Sequence, residues 1–287
     1  MPIAGLGWSL LLAGGALALD ATAPASAAHP VKSSDGVEIR YEWAGSGEPT
    51  IVFVHGWSCD RSYWRAQIDS LSKTNRVVAI DLGGHGESGL GRKEWTMQAF
   101  GADVRAVLEA LDARGVVLVG HSMGGPVILE AARQAPDRVA ALVPVDTLSD
   151  VGQSWSAEQK EAFLAPMRAD FRKTTDGFVR QVMFTPRTEP ALIDRIAVDM
   201  ASAPPEVALS ALSYLLDYDA ASALAAVQAP LRLLNADQRP TNLAAARKHK
   251  PDVELAVMPR VGHFLMAEDP AEFNRLLGRA ARELTAR

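Results

Sequence analysis

The chain has 287 residues, 48% of them apolar and 22% charged, which suits one large folded domain, or a domain with a subdomain, and excludes disordered and collagen-like classes. A net charge of −5 argues against a nucleic-acid partner, and the one dense basic run, Arg247-Lys248-His249-Lys250, precedes Pro251 as the last turn of a predicted helix, where the dipole favours cations. Cys59 is the only cysteine, so no intrachain disulfide forms, and it reads as a small buried residue.

In chain order, "LLLAGGALAL" (Leu10–Leu19) is a short apolar run followed by Ala25-Ser26-Ala27. It reads as the core and cleavage site of a signal peptide over residues 1–28, although no Lys or Arg precedes it. The expectation is a periplasmic or secreted protein, with a cytoplasmic one as the alternative. The run is too short and glycine-rich for a stable membrane span. The alternating "VEIRYEWAG" then predicts a half-buried antiparallel strand. The short apolar runs "TIVFVHG", "RVVAIDLGG", "VVLVGHS", "VAALVPVDT", "LRLLNAD" and "VELAVMP" predict strands buried on both faces of a parallel sheet. Helical-period segments such as "SYWRAQIDSLSKT", "MQAFGADVRAVLEALDARG", "GPVILEAARQAPDRV" and "AEFNRLLGRAARE" separate most of them. The fold class is therefore α/β: a mostly parallel central sheet with flanking helices. Between Asp146 and Pro230 only helical patterns occur, punctuated by Pro186, Pro190, Pro204 and Pro205. This predicts an inserted helical cap over 148–228, with the core domain formed by 29–147 and 229–287. The cap's Trp155, Met167, Phe171, Phe178, Met183, Phe184 and Tyr214 read mostly as helix-packing residues, with a few facing a pocket.

The stretch with chemical content is "VLVGHSMGG" (Val117–Gly125). A predicted strand runs into Ser122 and a predicted helix leaves it, with Gly120 and Gly124 on either side. That is the setting of a tight turn that lifts a serine hydroxyl above a sheet edge, beside the free N–H groups of a helix start. A serine is a weak nucleophile unless a base takes its proton. Of the six histidines, His29 falls at the end of the expected leader, His249 in the basic run and His121 inside the turn, while His263 lies in a loop between the last strand and the last helix.

Four motifs in order, "HGW" (His55–Trp57), "DLGGHGES" (Asp81–Ser88), "GHSMGG" (Gly120–Gly125) and "GHFLMAEDP" (Gly262–Pro270), make the region from Val31 to Arg287 similar to the α/β-hydrolase superfamily, of its capped, cofactor-free, esterase-like kind. The resemblance implies Ser122 as nucleophile, His263 as base and Asp237, at the end of "LRLLNAD", as the acid that orients it. Asp146, ending "LVPVD", is the alternative acid, and Asn235 stands where relatives often carry glycine. The resemblance also implies an oxyanion hole from the backbone N–H groups of Trp57 and Met123, whose side chains line the acyl pocket, and loop-forming roles for His55 and His85. The expected activity is hydrolysis of carboxylic esters of small, mainly apolar substrates through an acyl-enzyme, with no cofactor. The expected partner is a small-molecule ester and not a nucleic acid. Lactonase, C–C hydrolase, cofactor-free haloperoxidase and acyltransferase chemistry use the same triad, and a hydrolase-fold ligand receptor with little turnover is the alternative of another class. A serine at the turn excludes the relatives that attack with a carboxylate, and the absence of H-x-H-x-D-H and H-E-x-x-H sequences argues against a zinc hydrolase.

Overall fold

The computed structural model describes residues 28–286, so the apolar run and Ala25-Ser26-Ala27 of the expected leader lie outside it. Strands β1 (His29–Lys32) and β2 (Glu38–Ala44) pair antiparallel. His29, the first residue after the expected leader of residues 1–28, opens β1 opposite Tyr41. The segment "HPVK" is mostly exposed and gives no alternating apolar signal, which is why the strand is not apparent in the sequence.

From there the alternation is regular. It runs β3 (Ile51–Val54), α1 (Arg65–Leu71), β4 (Val77–Asp81), α2 (Met97–Ala110), β5 (Val116–His121), α3 (Gly124–Gln134) and β6 (Val139–Val145). Five helices follow without a strand: α4 (Ala157–Ala169), α5 (Phe171–Val182), α6 (Pro190–Met200), α7 (Pro205–Leu216) and α8 (Ala220–Ala226). The chain then forms β7 (Arg232–Ala236), α9 (Leu243–His249), β8 (Glu254–Met258), α10 (Leu265–Glu268) and α11 (Pro270–Thr285). The basic run closes α9, as expected for cations at a helix C-terminus.

The eight strands lie in the order β1-β2-β4-β3-β5-β6-β7-β8, antiparallel at β1–β2 and β2–β4 and parallel from β4 onward. β3 and β5 are wholly buried, and their Val, Ile, Leu and Phe side chains meet helices on both faces. Phe53 stacks on Trp64 at 4.7 Å between ring centroids, and Trp64 meets Phe273 of α11 at 6.0 Å. "VELAVMP" departs from the buried pattern. It forms the edge strand β8, where Val257 is 48% exposed, because only β7 pairs with it. The chain moves from β3 outward to β4 and then back across to β5, so the strand order reverses there. At such a reversal the carboxyl ends of the strands diverge and leave a crevice.

Candidate active site

Every polar group of the site sits at the carboxyl end of a strand. Ser122 follows β5 directly and holds a left-handed backbone, φ +52°. Its N–H donates to Val145 O at 2.9 Å and its carbonyl accepts from Gly125 N at 2.9 Å, so bonds on both sides fix the strained turn. The glycines are needed for close approach: a Cβ on Gly120 would stand 2.2 Å from Gly124 O, and one on Gly124 would stand 2.6 Å from Val54 O. Met123 caps the start of α3 and is wholly buried.

His263 lies in the loop between β8 and α10, anchored by its N–H to Met183 O at 2.8 Å. Its Nδ1 is 2.6 Å from Asp146 Oδ2. Asp146 follows β6 at φ +45°, and its other oxygen accepts from Ala236 N at 2.9 Å. Burial raises the Asp146 pKa, but the hydrogen bond and charge of His263, with the Ala236 N–H, outweigh it and hold the carboxyl below its ordinary value. The acid beside His263 is thus Asp146 and not Asp237. Asp237 is exposed, and its Oδ1 accepts from Arg260 N at 2.9 Å, bracing a residue at φ +66°. The turn after β7 points Asp237 toward the loop that follows β8. Asn235 Oδ1 accepts from Thr147 N and its Nδ2 donates to Thr147 O, both at 3.2 Å, which sets the turn carrying Asp146.

Three further histidines, His55, His85 and His121, bond to the backbone near the site. Leu82 N donates to His55 Nε2 at 3.0 Å, and Nδ1 then donates to Gly56 O at 2.8 Å, so His55 is neutral, in line with the lowering of its pKa by burial. His85 Nδ1 meets Gly83 O at 3.0 Å. His121 Nε2 lies 2.8 Å from His263 O and braces the backbone of His263. Burial, with a neighbouring histidine next in weight, pulls both His85 and His121 down to about 3. Asp81 shapes the loop after β4, accepting from Arg61 N at 2.8 Å and Glu87 N at 2.9 Å and pairing with the Arg61 guanidinium.

Ser122, His263 and Asp146 share a cavity of about 250 Å³ whose other walls are mostly apolar. Trp57, Phe163, Phe178, Met200, Leu212 and Leu215 form much of it. Trp57 is buried, donates its indole N–H to Ala208 O of α7 at 2.7 Å and meets Phe171 edge-on at 6.1 Å. Its side chain lines the cavity as expected, whereas the Met123 side chain points into the core and does not. Among the named residues of the five-helix segment, Trp155, Phe178 and Met183 reach the cavity. Met167, Phe171 and Phe184 are buried in packing, and Tyr214 hydrogen-bonds Glu94 at 2.6 Å. Sequence reasoning singled out neither Phe163 nor Gln238 and Arg239, which also line the cavity; only position, just past β7, could have marked the last two. Cys59 is buried against the same cavity, and burial raises its thiol pKa well above the ordinary value. Among the described residues no cluster suited to a metal occurs, and no helix is long and apolar enough to cross a membrane.

The profile of the alpha/beta hydrolase family matches residues 51–276. A thermophilic esterase from Thermogutta terrifontis, solved with malate bound, superposes with a TM-score of 0.80 at 26% identity, over 91% of this chain and all of that one. A dihydrolipoyllysine-residue acetyltransferase component of the acetoin cleaving system from Pseudomonas putida is 28% identical over 82% of this chain and 64% of its own length. A non-heme chloroperoxidase from Streptomyces lividans is 40% identical over 42% of this chain and 45% of its own. The chain thus spans less than two thirds of the length of these two relatives. The eight-stranded sheet, the serine in its left-handed turn and the profile match together place this chain in the alpha/beta hydrolase family.

Proposed function

We propose that the protein is a serine hydrolase that cleaves carboxylic esters of small, mainly apolar substrates, with Ser122, His263 and Asp146 as its triad. The observation that carries the reading is the 2.6 Å contact between His263 Nδ1 and Asp146, in the cavity that Ser122 enters on its strained turn. With Asp146 ionised, the Nδ1 proton stays on the side of the acid, and Nε2 is left as the base. His263 takes the Ser122 proton as Oγ adds to the ester carbonyl. The carbonyl π pair moves onto oxygen, where the N–H groups of Trp57 and Met123 receive it. Collapse breaks the bond to the alkoxy oxygen, which leaves as alcohol with the proton from His263. A water then adds to the acyl carbon, gives its proton to His263, and Oγ departs with that proton. The five helices over 148–228 act as the cap that dries the cavity. The esterase named above supports the reading.

The acetyltransferase and chloroperoxidase relatives favour a second reading, in which another nucleophile takes the acyl group in place of water. A fluorophosphonate probe is expected to label Ser122 stoichiometrically, and Ser122→Ala to abolish both labelling and hydrolysis of p-nitrophenyl esters. Absence of labelling in the parent would overturn the nucleophile assignment. Labelling without multiple turnover on any ester would favour a receptor.

A further inference from the structure

Arg239, an exposed residue, borders the cavity that holds Ser122, and its guanidinium has no hydrogen-bond, ion-pair or ring partner among the described residues. Most arginines of the chain are engaged, as Arg61 with Asp81 and Glu87, Arg92 with Asp35 and Asp103, and Arg232 with Glu254 and Glu283. The loop that carries Arg239 is held from both sides. Gln238 donates to Phe184 O at 3.0 Å, and Pro240 restricts the backbone of the residue before it. Among the described residues, the only other formal charge on the wall, Asp146, is committed to His263. The chain as a whole is acidic, at −5, so a free cation at an apolar cavity runs against its general charge.

We infer that Arg239 is a specificity residue that receives a carboxylate on the far end of the substrate. The preferred substrates are then half-esters of short dicarboxylic acids, with the scissile carbonyl at Ser122 and the free carboxylate at the guanidinium. A cavity of this volume, taken as a sphere, is about 8 Å across, which suits an acyl chain of about five carbons. A guanidinium receives a carboxylate through two parallel N–H bonds, which a neutral methyl end cannot supply. Where the acyl group goes rests on the proposed ester hydrolysis; recognition of the anion does not.

The test compares kcat/KM for p-nitrophenyl hemiglutarate and p-nitrophenyl pentanoate, which differ at the distal group. The parent is expected to favour the anionic ester by about tenfold at low salt, less as ionic strength rises. Arg239→Gln is expected to bring the ratio near one, and Arg239→Lys to restore part of it. Equal rates on the two esters in the parent, or an unchanged ratio in Arg239→Gln, would overturn the assignment. Calorimetric binding of monomethyl glutarate and methyl pentanoate to Ser122→Ala, which differ only in the distal carboxylate, reads the same contact without turnover. Tighter binding of monomethyl glutarate that is lost on adding Arg239→Gln supports Arg239 even where neither p-nitrophenyl ester is hydrolysed, a result that would sink only the hydrolase reading. Equal binding of the two methyl esters would overturn the inference.

Discussion

Replacing Asp146 by asparagine changes one atom and reverses a hydrogen bond. In the folded protein one Asp146 oxygen accepts from Ala236 N and the other faces His263 Nδ1 at 2.6 Å. An asparagine keeps its single oxygen on the Ala236 N–H, so its NH₂ group turns toward His263. Two donors cannot face each other, and the imidazole shifts its proton to Nε2, where it no longer serves as a base for Ser122. The charge-assisted bond that is lost contributes about 1.5–3 kcal/mol, and the imidazolium formed in the transition state loses its counter-charge as well. Together these amount to about 5 kcal/mol, or about 10⁴-fold in kcat, with KM little changed. Steady-state hydrolysis of a p-nitrophenyl ester, with active sites counted by fluorophosphonate titration, gives kcat per folded site. Asp237→Asn is expected to stay within about twofold of the parent, since an amide oxygen still accepts from Arg260 N. An Asp146→Asn variant within tenfold of the parent, or a collapse of kcat in Asp237→Asn, would refute the reasoning.

Three further outcomes follow from the same geometry. His85 and His121 are held at about 3 while an unfolded imidazole titrates near 6.5, so the unfolded chain binds more protons between those values and stability rises with pH across that window. The Tm should therefore fall from pH 7 toward pH 4, and His85→Gln should flatten that slope; an identical slope in the variant would count against it. Gly120→Ala places a methyl 2.2 Å from Gly124 O, with backbone on both sides, and should lower stability by about 3 kcal/mol in urea denaturation. Ser122→Gly relieves a left-handed serine that costs about 1–2 kcal/mol, so the inactive variant should be at least as stable as the parent in the same assay.

The parallel strands, the serine turn and the His263 loop are legible in the sequence because each has a local cause: apolar runs of strand length, flanking glycines and a strand-to-helix loop. The choice between Asp146 and Asp237 has no local cause. Both follow strands that lie side by side in the sheet, and both look alike as an aspartate after an apolar run. What separates them is the left-handed backbone at Asp146 and the pull of Arg260 N on Asp237, both set by contacts distant in sequence. β8 shows a similar limit. A continuous apolar run reports burial on average, and the edge position of Val257 depends on where the sheet ends.

The bonds around Asp146 also form a neck. Asp146 N donates to Leu234 O at 3.0 Å, its carboxylate accepts from Ala236 N across 90 residues, and Thr147 and Asn235 exchange two more bonds. The five-helix segment leaves the sheet and returns to it through this one cinched point. Its two ends are held together by the groups that aim the acid at His263. A different helical segment spliced between Thr147 and Leu231 would keep the bonds that aim Asp146, but it would also have to present a carbonyl where Met183 O now holds the N–H of His263, so the acid is set by the sheet and its partner is set in part by the segment above it.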